Sequence, residues 1–132
     1  MAESQKRVLI MDDYPDAADT LAALVRLCGH TPFVAYDAES ALRIAHENEL
    51  DVFILDLALP VSSGYEVASQ LRAEPLFRQA LMIALTGFDD LETHRRALSV
   101  GFDLHIGKPI SYVEVTNILD NSDELMTLAR SS

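Results

Sequence analysis

The sequence is poor in cysteine and in positive charge, and each shortage excludes a class of protein. Its 132 residues include a single cysteine, so no disulfide can form within the chain. Ten lysine and arginine residues stand against 21 aspartate and glutamate residues, which gives a formal net charge of -11. Binding to nucleic acid or to an anionic membrane requires a cationic surface. We therefore expect no direct contact with nucleic acid.

Long apolar runs are also missing. No stretch approaches the roughly 20 apolar residues that a membrane-spanning helix requires. The first residues are polar and lack the apolar segment of a signal peptide. We expect a cytoplasmic protein without membrane insertion. Hydrophobic residues make up 49% of the chain, which is enough for the core of one domain.

Five short apolar runs alternate with longer patterns of helical periodicity. The runs cover residues 8–11, 31–35, 52–55, 81–85 and 104–107. Each is followed by apolar residues at helical spacing, bounded by residues such as Pro15, Asp37 and Gly101 that start or stop helices. This repeated strand–helix order predicts an α/β fold, with a parallel sheet covered by helices on both faces. Residues 120–123 break the pattern, and residues 124–129 add one or two helical turns.

Polar residues follow four of the five predicted strands. Asp12 and Asp13 come after the first strand, Asp56 ends the third, Thr86 ends the fourth and Lys108 follows the fifth. Ligands of open parallel sheets bind at the carboxyl ends of the strands. We therefore expect these five side chains to converge on one edge of the sheet.

Three carboxylates held close together repel one another, and a divalent cation would relieve that repulsion. Oxygen ligands of this kind suit Mg²⁺. A carboxylate such as Asp56 is a competent nucleophile for phosphorus. Lys108 would add positive charge beside the transferred group, and the Thr86 hydroxyl would donate a hydrogen bond to one of its oxygens. Each motif alone also fits a helix cap, a turn or a surface lysine, so the prediction depends on all four together.

With these motifs in place, the sequence resembles the receiver domain of two-component response regulators. The motifs are Asp12-Asp13, Asp56 with Pro60 and Gly64 downstream, Thr86-Gly87 and Lys108-Pro109. The resemblance implies a flavodoxin-like, doubly wound sheet of five parallel strands in the order 2-1-3-4-5, with five flanking helices. It implies a receiver domain over residues 1–122, and residues 123–132 would form a C-terminal extension, partly helical or disordered. Such a chain is a single-domain regulator or the receiver of a hybrid histidine kinase.

The resemblance also implies the roles of the acidic residues. Asp56 would take a phosphoryl group from the phosphohistidine of a sensor histidine kinase or a histidine phosphotransfer protein. Asp13, Asp56 and the backbone carbonyl of Ala58 would bind Mg²⁺ (or Mn²⁺) directly, and Asp12 would act through metal-bound water. The protein would catalyse its own phosphorylation and slow dephosphorylation without turning over an external substrate.

Beyond the metal, Thr86 and Lys108 would contact the phosphoryl group, and Thr86 would move when the site is charged. Two positions depart from the family pattern. His105 occupies the position three residues before the lysine, where the family often has a tyrosine or phenylalanine that swings inward. Ala58 and Phe88 occupy positions that influence hydrolysis; neither can hold an attacking water, which predicts a long-lived phosphorylated state.

By the same resemblance, the output surface is the face of the fourth helix, fifth strand and fifth helix. Its expected exposed residues are Arg95, Phe102, His105 and Tyr112. An unidentified downstream protein or a second copy of the chain, forming a homodimer, would bind there.

Three other interpretations stay open at this point. Hydrolases of the aspartyl-phosphate type usually carry a second carboxylate two residues after the nucleophile, where this chain has Ala58. A flavodoxin-like cofactor binder needs a loop rich in serine, threonine and glycine after the first strand, where residues 12–16 are acidic instead. The third is an inert receiver used as a scaffold, which the complete set of site residues argues against.

Overall fold

A computed structural model describes residues 5–57, 64–87 and 91–129, and five parallel strands form one sheet within them. The strands are β1 (Arg7–Met11), β2 (Thr31–Ala35), β3 (Val52–Asp56), β4 (Leu81–Thr86) and β5 (Leu104–Gly107). The helices are α1 (Pro15–Leu27), α2 (Ala38–Glu47), α3 (Gly64–Arg72), α4 (Leu91–Ser99), α5 (Tyr112–Asp120) and α6 (Ser122–Ala129), with a 3-10 turn at Pro75–Phe77. The strand order β2-β1-β3-β4-β5 confirms the predicted doubly wound topology.

Side-chain alternation along the strands divides the core into two apolar layers. In β3, Phe53 and Leu55 face the layer under α2, α3 and α4, whereas Val52 and Ile54 face the layer under α1 and α5. β3 pairs with β1 along one edge and with β4 along the other, and the two apolar layers cover its two faces. All of its residues are therefore buried. This burial explains why β3 is a continuous apolar run that a polar residue ends only at Asp56.

Helix caps fix where the loops at the carboxyl edge of the sheet end. The Asp37 side chain accepts a hydrogen bond of 2.7 Å from the Ser40 backbone N–H at the start of α2. At the start of α5, Ser111 and Glu114 form a reciprocal capping box. α1 begins with Pro15 at its first turn, where the missing proline N–H costs nothing. These short connections hold the residues after β1 and β5 close to their strand ends.

The described residues contain six α-helices: the five predicted flanking helices and α6, which covers the helical turns predicted over residues 124–129. α5 ends at Asp120 and α6 begins at Ser122. The break predicted over residues 120–123 is therefore the single residue Asn121. Leu125 of α6 packs against the layer under α1 and α5, and Ser122 is buried. This apolar contact makes α6 an extension of the core layer.

Candidate acidic site at the carboxyl edge of the sheet

β1 and β3 are the strands at which the winding direction of the sheet reverses, and their carboxyl ends form the site. Asp12 directly follows β1, and Asp56 is the last residue of β3. Both are buried, at 5% and 2% exposed, whereas the neighbouring Asp13 is exposed. One carboxylate oxygen from each of the three lies within 4.8 Å of the others. The structure thus brings together the three aspartates predicted as metal ligands.

The electrostatics of the cluster are unfavourable for the protein alone. Burial raises the pKa of the Asp12 carboxyl, and repulsion from Asp56 raises it further. The Tyr14 backbone N–H donates a 3.0 Å hydrogen bond to Asp12 and acts in the opposite direction, as does the positive charge of Lys108. Burial and repulsion outweigh these contacts, so the site favours a bound cation or a proton.

Lys108 supplies one positive charge to the cluster. Its Nζ donates a 2.7 Å hydrogen bond to Asp56 Oδ2 and lies 3.7 Å from Asp12 Oδ2. The Lys108 backbone N–H donates to the Thr86 carbonyl at 2.9 Å, which ties the end of β5 to the end of β4. Thr86 itself is 1% exposed and ends β4. Two of the predicted phosphoryl-contacting residues are therefore joined through the backbone.

Gly64, at the start of α3, determines how closely that helix approaches the end of β3. A Cβ atom at this position would lie 2.8 Å from the Asp56 carbonyl oxygen and 3.2 Å from the Leu57 side chain. The sequence indicated Gly64 only as part of a motif, because the close approach involves backbone atoms from two separate elements. A glycine shortly after an acidic strand end was the only available signal.

A cleft of about 310 Å³ opens beside the aspartates, between α1 and the loop from β5 to α5. Its apolar lining includes Leu24 of α1 and Pro109 and Ile110 of the loop, and Asp12 and Lys108 also line it. Sequence reasoning missed this cleft, since its two walls lie more than 80 residues apart in the chain.

Two predicted residues lie outside the described part of the chain. Ala58, whose backbone carbonyl was predicted to bind the metal, falls between residues 57 and 64. Phe88, predicted to shield the site from water, falls between residues 87 and 91. Their roles stay predictions.

The predicted output face is only partly as expected. Arg95 is exposed, Tyr112 is 46% exposed and His105 is half-buried on β5. Phe102 is 3% exposed and lies in the core layer, so its assignment to the surface was wrong. The chain turns back at Gly101, with φ of 113°, and the Phe102 N–H bonds to the Ala97 carbonyl at the end of α4. This turn directs the ring inward.

Comparison with known proteins places this geometry in a family. The family model described as response regulator receiver domain matches residues 8–120. The chain belongs to the response regulator receiver family. It is 33% identical over 114 residues to a gliding motility regulatory protein of Myxococcus xanthus. The aligned segment covers 86% of this chain and 15% of that protein. It is 28% identical over 116 residues to an uncharacterized 14.6 kDa protein of Leptolyngbya boryana, covering 88% of each.

A solved structure shows the same fold. The chemotaxis response regulator of Vibrio cholerae superposes with a TM-score of 0.83 at 23% identity, covering 89% of this receiver and 98% of that chain. Receiver domains serve phosphorylation-dependent two-component signalling, so this receiver is a signalling domain. Receivers generally bind Mg²⁺ in an acidic pocket, and the cluster of Asp12, Asp13 and Asp56 is such a pocket. Within the described ranges, no helix has the length and apolar character to cross a bilayer.

Proposed function

We propose that this receiver accepts a phosphoryl group on Asp56 from the phosphohistidine of a sensor histidine kinase or a histidine phosphotransfer protein. The observation that carries the proposal is the contact of 2.7 Å between Lys108 Nζ and Asp56 Oδ2, inside a cluster of three carboxylates. A structural ion pair would need one carboxylate for one lysine. Here two further aspartates crowd the same point, which is costly unless a ligand is bound there.

The donor set fits Mg²⁺, or Mn²⁺ in its place. Asp12, Asp13 and Asp56 present hard carboxylate oxygens within 4.8 Å of one another, and Asp13 is exposed, so an ion has a path from solvent. Burial, and then repulsion from Asp56, raises the pKa of Asp12, so a cation beside it would favour its charged form. A bound ion would neutralise negative charge on the carboxylates and on the incoming phosphoryl group.

The protein's own residues then perform the transfer. An Asp56 carboxylate oxygen forms a bond to phosphorus while the bond from phosphorus to the donor's imidazole nitrogen breaks, and the imidazole leaves with that electron pair. Lys108 holds its ammonium group beside Asp56 and would donate to a phosphoryl oxygen. Thr86, at the adjacent strand end, would move to donate its hydroxyl to a second oxygen. The protein needs no acid or base beyond these groups, because positioning and charge neutralisation account for most of such a barrier.

Phosphorylation by a small-molecule donor tests the acceptor directly. We expect incubation with acetyl phosphate and Mg²⁺ to add the mass of one phosphoryl group to the intact protein, and hydroxylamine to remove it. Asp56→Asn should give no adduct. Asp123→Asn is a matched control, since Asp123 lies in α6 at the opposite end of the molecule and is 84% exposed at its side chain.

Either of two results would overturn the proposal. A wild-type protein that gains no phosphoryl group would remove the function, and an adduct that survives in Asp56→Asn would remove the acceptor. Omitting the divalent ion should abolish the adduct, and phosphorylation at the same rate in excess chelator would contradict the metal assignment.

The output surface we propose is the exposed part of α4, β5 and α5. Besides Arg95 and Tyr112 it carries Leu91, Leu98 and Val113, which are between 47% and 64% exposed. An unidentified downstream protein, or a second copy of this receiver, would bury these apolar side chains. Sedimentation with and without acetyl phosphate separates the two: dimerisation on phosphorylation supports the second copy, and a constant monomer supports another partner.

His105 occupies the position where the family often has a switching aromatic. We propose that it alters the coupling between phosphorylation and this surface. His105→Tyr should change how strongly phosphorylation affects self-association or partner binding, and unchanged coupling would contradict the proposal.

We retain the prediction of a long-lived phosphorylated state from Ala58 and Phe88; a half-life of seconds without a phosphatase would refute it.

A further inference from the structure

The chain has four histidines, and two of them have both ring nitrogens occupied. His30 Nδ1 accepts from the Lys6 backbone N–H at 2.9 Å, and its Nε2 lies 3.1 Å from Asp120. His46 Nδ1 lies 2.7 Å from a backbone carbonyl, and its Nε2 lies 2.8 Å from Glu74. These rings are satisfied by the protein itself.

The other two histidines face each other. Nδ1 of His94 on α4 lies 3.3 Å from Nδ1 of His105 on β5, and the ring planes are tilted by 54°. Only one hydrogen fits between the two nitrogens, so one Nδ1 donates and the other accepts. His105 Nε2 is buried and has no hydrogen-bond partner among residues 5–57, 64–87 and 91–129. Both residues remain half-exposed, so this pair is reachable from solvent.

The separation of the two nitrogens matches a metal site. Zn²⁺ binds histidine nitrogen at about 2.0–2.1 Å in tetrahedral geometry, which places two such ligands about 3.3 Å apart. We propose that His94 and His105 form a site for a borderline divalent transition ion such as Zn²⁺, separate from the aspartate cluster. The ion takes the place of the shared hydrogen after small ring rotations, and water completes its coordination.

The site binds weakly, for two reasons visible in the structure. Ligation through Nδ1 puts the ring hydrogen of His105 on Nε2, where it is buried without an acceptor among the described residues. Arg95 and Arg96 adjoin His94 on α4 and repel a cation, although Arg96 is drawn away over the Tyr65 ring at 4.1 Å. With two protein ligands from the described part of the chain, the ion exchanges readily, which suits a regulatory site better than a structural one.

An ion here would tie β5 to α4 at the proposed switch residue, an effect that rests on the proposed function. An ion that binds one state of His105 better than the other favours that state. Because such coupling is reciprocal, phosphorylation changes the affinity for the ion by the same factor as the ion changes the equilibrium of phosphorylation. We expect phosphorylation to weaken Zn²⁺ binding at this pair.

Nuclear magnetic resonance of the histidine side chains tests the site in the unphosphorylated protein. With Mg²⁺ present in excess to occupy the aspartates, Zn²⁺ is titrated and the ring nitrogen shifts are followed. The Nδ1 signals of His94 and His105 should shift together, and those of His30 and His46 should not. Shifts absent from His94 and His105 would overturn the proposal.

Variants separate this site from Zn²⁺ bound at the carboxylates. His94→Ala and His105→Ala should each weaken binding by at least about tenfold, as loss of a ligand or its support does. His46→Ala is the matched control and should bind as wild type. Binding that persists in His94→Ala and is displaced by Mg²⁺ would place the ion at the aspartates and overturn the proposal.

The linkage has its own readout. Equal Zn²⁺ affinity before and after phosphorylation by acetyl phosphate would overturn the effect on the switch residue. A protein that fails to phosphorylate would instead remove the proposed function, and the nitrogen shifts measured without phosphorylation would still decide the metal site.

Discussion

Polar side chains lie at both ends of the sheet, but they differ in how the protein satisfies them. At the amino end, the Arg72 guanidinium donates to the carbonyls of Gly101, Phe77 and Ala80 at 2.9–3.0 Å, and it forms an ion pair with Asp103. Asp103 also accepts from the Met82 backbone N–H at 2.9 Å. At the carboxyl end, three carboxylates cluster, and Lys108 contacts two of them, Asp56 and Asp12.

This difference separates polar groups that hold the fold from polar groups that we propose bind a ligand. Arg72 joins α3, the 3-10 turn, the strand β4 and the turn before β5, so its charge and donors are matched by protein atoms. At the aspartate cluster, burial and repulsion from Asp56 raise the pKa of Asp12, so its surroundings disfavour its negative charge. Removing a charged side chain at the amino end of the sheet should therefore destabilise the fold strongly. At the carboxyl end, the same kind of change should alter stability mainly through ligand binding.

The largest stability effect should come from Arg72→Met. The substitution leaves Asp103, whose side chain is 8% exposed, as a buried charge without its cation, and it removes the donors to three carbonyls. Breaking a buried ion pair in this way costs about 3–5 kcal/mol. Urea unfolding followed by circular dichroism should show a loss of that size. Arg26→Ala, at an exposed position of α1, is the control, and an equal loss in both variants would contradict the comparison.

A second, smaller loss of stability should follow from crowding the end of β3 at Asp56. In Gly64→Ala the new methyl group would meet the Asp56 carbonyl oxygen at 2.8 Å, so α3 must move away from β3. Overpacking of this kind costs about 1–3 kcal/mol. Because the shift occurs at Asp56, phosphorylation by acetyl phosphate should slow as well.

Gly107→Ala is the matched control for Gly64→Ala. Gly107 also lies near the site, but a Cβ atom there would meet nothing within 4 Å. We expect a change within about 0.5 kcal/mol, as for surface substitutions in general. If both glycine variants lose stability equally, the close approach of α3 to Asp56 is not the cause.

The third prediction concerns the sign of an effect at the aspartate cluster. Without divalent ions, Asp12→Asn should stabilise the protein by about 1 kcal/mol, a usual size for a single substitution. It removes a buried charge that Asp56 repels and keeps an oxygen for the Tyr14 N–H. With excess Mg²⁺ the wild type should instead be more stable than Asp12→Asn, because an ion that binds the folded state stabilises the wild type more. Thermal unfolding with and without Mg²⁺ measures both, and an unchanged sign would contradict a cation site.

Much of the carboxyl end was predictable from sequence, and little of the amino end was. Asp12, Asp56 and Thr86 each follow a short apolar run, and parallel strands bring their carboxyl ends to one edge, so linear position predicts proximity. Arg72 and Asp103 follow no such rule. Arg72 lies at the end of an amphipathic helix, where an exposed arginine is common, and its partners are backbone carbonyls from three later segments.

The surface assignments show the same limit. Phe102 was predicted to be exposed because the family resemblance placed it on the output face, but the direction of the turn after α4 decides which way its ring points. The facing of His94 and His105 likewise depends on how α4 packs on β5. Periodicity predicts that an element exists and which face is apolar, but packing between elements decides such contacts.

The smallest predicted effect concerns the ion pair of His46 and Glu74 at the amino end of the sheet. This pair is exposed, whereas the pair of Arg72 and Asp103 is buried. Both ring nitrogens of His46 face acceptors, the Leu42 carbonyl and the Glu74 carboxylate, so the imidazolium form is favoured. The hydrogen bond to Glu74, and then that to Leu42, raises the pKa of His46 above its ordinary value of 6.5. The folded state thus holds this proton more tightly than the unfolded chain does.

The stabilisation from His46 should therefore be complete below about pH 6.5, the pKa in the unfolded chain, and should fade as pH rises through the folded-state value. Since both side chains are more than a third exposed, the effect should not exceed about 1 kcal/mol. Urea unfolding of the wild type and Glu74→Gln between pH 5.5 and about 8.5 checks this. The variant should lose stability at the acidic end and converge with the wild type at the basic end, because only the protonated ring has a charge for Glu74 to stabilise. A difference that grows with pH would show that His46 is neutral in the fold.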